Sequence, residues 1–282
     1  MILLNPKSIA KQINQRTYTL YYHHLSLISK VMFKWRGLPS GIDEKWIEKF
    51  LFEDGKCVFF HDEKLGWIVT RCTENDKHNV YEEPTTIRPH GINYRGKLLN
   101  LNENCVMIRN NDDFIPTEFF VSNYAYRLMA LTRTIDINVN AQKTPNFITG
   151  DHKQMLSLKN IFKQWDGFEP VIFGDKSLQG TEFMKVLDIE APIVFPQLQI
   201  QKQATWNEFL TVIGMNNANT EKRERLISNE VDANNEHINY AGDVFLKARQ
   251  KGAEQMSKLF GSEITVERRE GVNVCMPNTQ NI

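Results

Sequence analysis

No charge of one sign prevails in this 282-residue chain: 34 Lys and Arg balance 34 Asp and Glu, for a formal net charge of +0 at pH 7. That excludes a nucleic-acid binder of the strongly basic kind, although it leaves room for a local basic site. Cysteine is scarce. Cys57, Cys72, Cys105 and Cys275 form no CxxC pair, and the nearest two stand 15 positions apart. The spacing argues against a zinc site or a redox dithiol and for buried, reduced thiols in a chain that folds in the cytoplasm. Long apolar runs are missing as well. The N-terminal MILLNPKSIAKQ carries an apolar run of three residues, too short for a signal peptide. No stretch approaches the ~20 apolar residues of a membrane span. The expectation is a chain that is soluble, or soluble until it assembles, without a membrane partner.

The signatures of common catalytic sites are absent too. The pairs Gly55-Lys56 and Gly96-Lys97 are followed by Cys57 and Leu98, so neither completes a phosphate-binding GK[ST] loop. GxGxxG, GxSxG and HExxH do not occur. His23 and His24 are adjacent and cannot share a helix face as ligands four apart would; one is expected in the core and one in solvent. Asn110-Asn111-Asp112-Asp113 reads as a turn rather than a cation site. No enzyme, no metal and no cofactor are expected.

What is present is an ordinary globular composition, 41% hydrophobic and 24% charged. Ile9, Ile13, Leu20, Tyr21, His24, Leu27, Ile28, Val31, Met32 and Trp35 recur at threes and fours, which predicts a long helix from about Ser8 to Trp35, ended by Gly37-Leu38-Pro39. A shorter helix is predicted over Glu44–Phe52, capped by Asp43. Cys57–Phe60, Trp67–Thr70, Thr85–Pro89 and Cys105–Asn110 are short β-rich runs divided by turn residues, with a long loop at Glu74–Glu83. Pro116-Thr117-Glu118 opens a second long helix to about Asn138. Its apolar residues (Phe119, Phe120, Val121, Tyr124, Ala125, Tyr126, Leu128, Met129, Leu131, Ile135) almost encircle it, so either it is one central core helix or neighbouring subunits cover part of it. A short helix is predicted at Ser157–Trp165, with strand-like runs at Val171–Phe173 and Ile193–Phe195. A further helix covers Leu198–Ile213, stopped by Gly214, and a last one covers Asp243–Phe260, followed by a strand-like ITVER.

Between those last two helices the composition shifts. Residues 216–239 hold seven asparagines and the charge-dense TEKRER, Thr220–Arg225. Lys222, Arg223 and Arg225 beside Glu221 and Glu224 read either as a solvated turn of mixed charge or, on a long polar loop, as contacts to a phosphate backbone.

Three runs carry a resemblance: NAQKTP (Asn140–Pro145), WNEFLTVIGMNNANTEKRERLISNEV (Trp206–Val231) and GDVFLKAR (Gly242–Arg249). FKWRGLP (Phe33–Pro39), VMIRNNDDFIPT (Val106–Thr117) and EAPIVF (Glu190–Phe195) follow in the matching order. Together they resemble the head–tail connector, also called the portal or upper collar protein, of Picovirinae-type short-tailed phages, over nearly the whole chain.

The resemblance implies an α+β portal fold with long wall helices, a β-rich wing, a small mixed narrow-end segment and a helical wide end, assembled as a ring. The implied division is 1–54 for an N-terminal helical part, 55–116 for the wing, 117–139 for the first wall helix and 140–197 for the narrow-end clip. The second wall helix takes 198–215, the tunnel loop 216–241, and the wide-end helix and tail 242–282. It further implies a homododecamer in the virion, at the portal vertex, through which double-stranded DNA is packaged and ejected. The implied partners are the major capsid protein, a lower collar or tail protein, and a separate packaging ATPase.

Lys222 and Arg223, with Arg225 beside them, match the basic residues of the family's tunnel loop. Lys202 matches a family lysine and is a candidate for the channel lining. Asp188 and Gln197 stand where the family carries further channel lysines. Only Lys7 and Lys11 lie where a basic arm would contact a packaging RNA, so RNA binding is not carried over. The other reading the residues allow is a non-ring DNA-binding accessory protein that uses the basic loop as a phosphate patch.

Overall fold

The computed structural model describes residues 6–142, 146–148, 184–186, 192–215 and 228–269. Among these the chain forms two compact units, Met1–Thr132 with Ile200–Ile282, and Arg133–Gln199.

The larger unit opens with helix α1 (Pro6–Lys30), which presents Tyr21, Leu25 and Ile28 to a helical core. The chain then turns into strand β1 (Phe33–Arg36). The predicted helix ends five residues sooner than its periodicity suggests, because Phe33–Arg36 pairs antiparallel with β10 (Thr265–Arg268) in the register Phe33↔Arg268 to Arg36↔Thr265. Ladder hydrogen bonds from a segment more than two hundred residues away outweigh a local helical pattern, since propensity is a weak prior beside tertiary pairing. Helix α2 (Glu44–Asp54) begins where Asp43 accepts from the Lys45 backbone N–H and ends at Gly55, whose φ of 73° closes the last turn through an N–H to Leu51 O. A side chain on Gly55 would also strike the Phe114 carbonyl, so only glycine fits there.

The largest sheet is antiparallel among the described residues, in the order β5–β4–β3–β2–β7, with β6 pairing β4. Its strands are β2 (Lys56–Asp62), β3 (Gly66–Glu74), β4 (Thr86–Gly91), β5 (Tyr94–Arg95), β6 (Leu99–Asn100) and β7 (Cys105–Arg109). The unbroken apolar run of β2 follows from burial on both faces. Val58 and Phe60 join Cys72, Ile87 and Cys105 on one side. Cys57 and Phe59 join Val106, Ile108 and the helices on the other. The three cysteines are buried and unpaired. Burial pushes the thiols of Cys72 and Cys105 up to about 12 and that of Cys57 well above its usual range. Asn110–Asp113 is a turn: Asn110 and Asn111 both donate to Ile115 O, and the two aspartates are exposed.

Helix α3 (Thr117–Ala141) supplies Val121, Tyr124, Ala125 and Leu128 to the helical core. Helix α4 (Phe195–Ile213) supplies Trp206, Phe209, Leu210 and Ile213. α4 starts three residues earlier than the sequence pattern indicates, so Phe195 is helical and Ile193–Val194 is not strand. Gly214, at φ 78°, stops α4 as expected.

Helix α5 (Ser228–Phe260) is much longer than the predicted Asp243–Phe260. Residues 228–241, expected in a loop for their asparagines, are helical. Each asparagine costs only about 0.7 kcal/mol in a helix, and extending a helix already nucleated avoids the larger cost of starting one. Phe245, Ala253 and Met256 of α5 pack on β7 and α2.

In the smaller unit, β8 (Asn146–Ile148) pairs antiparallel with β9 (Met184–Val186). Asn138 ties two backbone segments together there. Its Nδ2 donates to Pro192 O at 2.9 Å, and its Oδ1 accepts from the N–H groups of Val194 at 3.2 Å and Phe195 at 3.1 Å. The predicted short helix at Ser157–Trp165 and the run Val171–Phe173 lie outside the described residues.

Candidate functional site

Lys222, Arg223 and Arg225 lie outside the described residues, between Met215 and Ser228. The two stems that frame them are described. Met215 is buried in the helical core, and its N–H donates to Leu210 O at 2.8 Å. Gly214 crosses α5 at Gly242 so closely that a methyl group on Gly214 would overlap the Gly242 backbone. Arg268 of β10 holds the same stretch of α5. Its Nη2 donates to Asn239 O and to Asp243 Oδ1, each at 2.8 Å. Beyond this clamp the first fourteen residues of α5 extend for about 20 Å at 1.5 Å per residue. The twelve residues 216–227 lie in sequence between the stem fixed at Met215 and the start of that helix at Ser228.

Lys202 is placed differently from a side chain that offers its charge to solvent. It is 5% exposed, and its ammonium lies 5.9 Å from the centroid of the Tyr21 ring. Around it α1, α3 and α4 are stitched by polar contacts. Tyr21 Oη and Thr132 Oγ1 are 2.8 Å apart, and Tyr22 Oη donates to Glu118 at 2.6 Å. Glu208 accepts from Tyr124 Oη at 2.9 Å and from both Arg127 Nη atoms at 3.2 and 3.0 Å. The Arg127 hydrogen bonds are the main cause of a Glu208 pKa below the usual glutamate value. His23 is exposed, while His24 faces the core with its ring 5.1 Å from that of Trp206; burial lowers the His24 pKa.

A second cluster escaped the sequence reading. Arg249 of α5 donates from Nε and Nη2 to the two carboxylate oxygens of Glu48 at 2.9 and 2.8 Å. It also reaches Asn110 Oδ1 at 3.0 Å and Phe245 O at 3.1 Å. Trp35 Nε1 donates to Glu48 at 2.9 Å, and the guanidinium stacks 4.2 Å from the Phe33 ring. The network joins α2, α5, β1 and the turn after β7. A signal for it exists: Arg249 sits on the apolar stripe Phe245–Ala253–Met256, and Glu48 sits between Ile47 and Leu51, each a lone charge on a core face.

The outer helix faces are apolar where water would favour polar groups. Ile13, Leu20 and Leu27 are exposed along α1 and Val31 in the turn after it, Phe119 and Tyr126 along α3, and Tyr240 and Val244 on α5. Among the described residues no group of His, Cys, Asp and Glu could hold a metal ion. No described helix is long and apolar enough to cross a membrane.

Surfaces of this kind belong to a structural subunit made to be covered by other proteins, and the α+β fold is that of phage portals. The sequence matches the family described as Phage Connector (GP10) over residues 5–273, and the chain belongs to that family. A chain in the solved portal and tail of native bacteriophage P68 is 14% identical, with a TM-score of 0.52 over 96% of this chain and 93% of that one. An HK97-family phage portal protein from Corynebacterium diphtheriae is 11% identical, with a TM-score of 0.48 over 91% of each chain. The protein is thus a portal, or head–tail connector, of the phage virion: a structural component of the neck rather than an enzyme. Membership implies a ring of subunits associated with capsid and tail.

Proposed function

We propose that twelve copies close into a channel for double-stranded DNA, during both packaging and ejection, and that residues 216–227 form its cargo-contacting loop. On this reading 117–139 and 198–215 are the wall helices, 140–197 the narrow end, and 55–116 the outward wing. The major capsid protein, a lower collar or tail protein and a separate packaging ATPase are the partners. The carrying observation is that Lys222, Arg223 and Arg225 fall in sequence between a stem fixed at Met215 and a helix that begins at Ser228.

Phosphate contacts from such a loop are independent of sequence, as a whole genome in transit requires. Symmetry turns each cation into a ring of charge, so a few per chain are enough. Lys202 is less suited to contact cargo, because its charge rests on Tyr21.

The test is Lys222→Ala with Arg223→Ala. Rings should assemble normally by negative-stain imaging while packaged DNA is retained poorly or passes abnormally. Normal retention and passage in intact rings would refute the loop assignment, and wild-type protein that stays a salt-sensitive DNA-binding monomer would refute the channel itself.

A further inference from the structure

Two exposed apolar seams of this subunit lie on different helices and share one spacing. On α1, Ile13, Leu20 and Leu27 are seven apart. At 100° per residue all three fall within about 40° of one another. Leu20 is 67% exposed and Leu27 66%, while the core-facing Tyr21, Leu25 and Ile28 of the same helix are buried. On α3, Phe119 and Tyr126 are also seven apart, at 64% and 62% exposed, on the side opposite the buried Val121, Tyr124, Ala125 and Leu128.

We infer that the α1 seam of one subunit docks against the Phe119–Tyr126 seam of the next, and that this contact closes the ring. The inference rests on the portal assignment and names the partner of these faces as a second copy of this chain. Three observations favour that occupant. A ring that closes by rotation needs two unlike faces per subunit, and one helix here supplies an aliphatic seam while another supplies an aromatic one. A seven-residue spacing is the seam that one helix presents to another, not a pattern that a flat surface demands. DNA has no use for either seam, since large apolar side chains neither pair with phosphate nor release counterions.

The test is Leu20→Glu with Leu27→Glu, in full-length protein. Both side chains are exposed, so the isolated subunit should keep its fold by circular dichroism and thermal unfolding. The population of rings at a fixed concentration should fall roughly tenfold or more, as when buried anchors of an interface are lost. A second experiment places Leu27→Cys and Tyr126→Cys in a Cys275→Ser background. Oxidation should give a ladder of covalent oligomers from the double variant and none from either single variant. Normal rings from the double Glu variant, in a preparation where wild-type protein also forms rings, would overturn the seam while leaving the portal function intact. Normal rings that fail to enter capsids would overturn it too, by assigning the seam to the shell. Absence of rings from wild-type protein would instead undo the portal reading on which the inference rests.

Discussion

Arg249→Met tests whether the buried network holds the wing to α5. The substitution keeps most of the side-chain volume and removes the charge. It deletes the donors to both oxygens of Glu48 and those to Asn110 and Phe245 O. It leaves a carboxylate, in a side chain 2% exposed, with Trp35 Nε1 as its one remaining donor in the network. An uncompensated buried charge of this kind costs about 3–5 kcal/mol. At about 2–4 °C per kcal/mol for a chain approaching this size, the unfolding midpoint should fall by roughly 6–20 °C.

A second variant separates charge from packing. Glu48→Gln added to Arg249→Met removes the orphaned charge yet keeps an amide oxygen for Trp35 Nε1. Because replacing both members of a buried pair is often close to neutral, the double variant should recover more than half of the loss. Thermal and denaturant unfolding of wild type, both single variants and the double variant complete the cycle. A loss below about 1 kcal/mol for Arg249→Met, or a double variant as unstable as the single, would refute this account of the network.

Two further outcomes follow from the stems and the helical core. Gly214→Ala forces a side chain into a left-handed conformation and against the Gly242 backbone. It should cost at least about 1–3 kcal/mol and lower the thermal midpoint, whereas a stability equal to wild type would show that α4 and α5 do not cross there. His24 is held neutral, its pKa lowered from 6.5 by burial against Trp206. The unfolded chain then binds the proton more readily. The stabilisation is present above about pH 6.5 and is lost as pH falls toward the lowered folded value. Denaturant midpoints taken from about pH 7.5 down to about pH 5 should therefore decline less in His24→Gln than in wild type, and equal slopes would count against the assignment.

Local chemistry made much of the fold legible. Asp43 and Gly214 marked helix boundaries because capping is a local hydrogen-bond problem, solved within four or five residues. The run Cys57–Phe60 was readable as strand because burial on two faces demands continuous apolar residues. The failures were non-local. Phe33–Trp35 continues the helical spacing of α1, and only its pairing with Thr265–Arg268 makes it a strand. Asn229, Asn234 and Asn235 argued for a loop on propensity, yet the backbone there continues the helix whose packed half begins at Phe245. Asn138 carried no motif, and its service to the start of α4 depends on a chain reversal of more than fifty residues. The basic run Thr220–Arg225 stands out by charge density and resemblance and lies outside the described residues, whereas the burial of Lys202 depends on where Tyr21 stands, which sequence spacing does not state.

The distribution of charge gives the proposed channel its physical consistency. Helices α3 and α4 together hold three cations, Arg127, Arg133 and Lys202, and three carboxylates, Glu118, Asp136 and Glu208. Each is already engaged by the protein: Arg127 with Glu208, Arg133 with Asp136, Glu118 with Tyr22, and Lys202 over Tyr21. A wall whose charges cancel and are spoken for by neighbours has little to offer a passing phosphate. Every phosphate it did neutralise would release counterions and add affinity, and twelve copies would multiply that affinity into a brake. Lys222, Arg223 and Arg225 fall instead, in sequence, between the buried Met215 and the start of α5 at Ser228. On the proposed assignment the wall stays neutral while contact with DNA falls to a short segment of each chain, so grip and passage would be set by different residues and could vary independently.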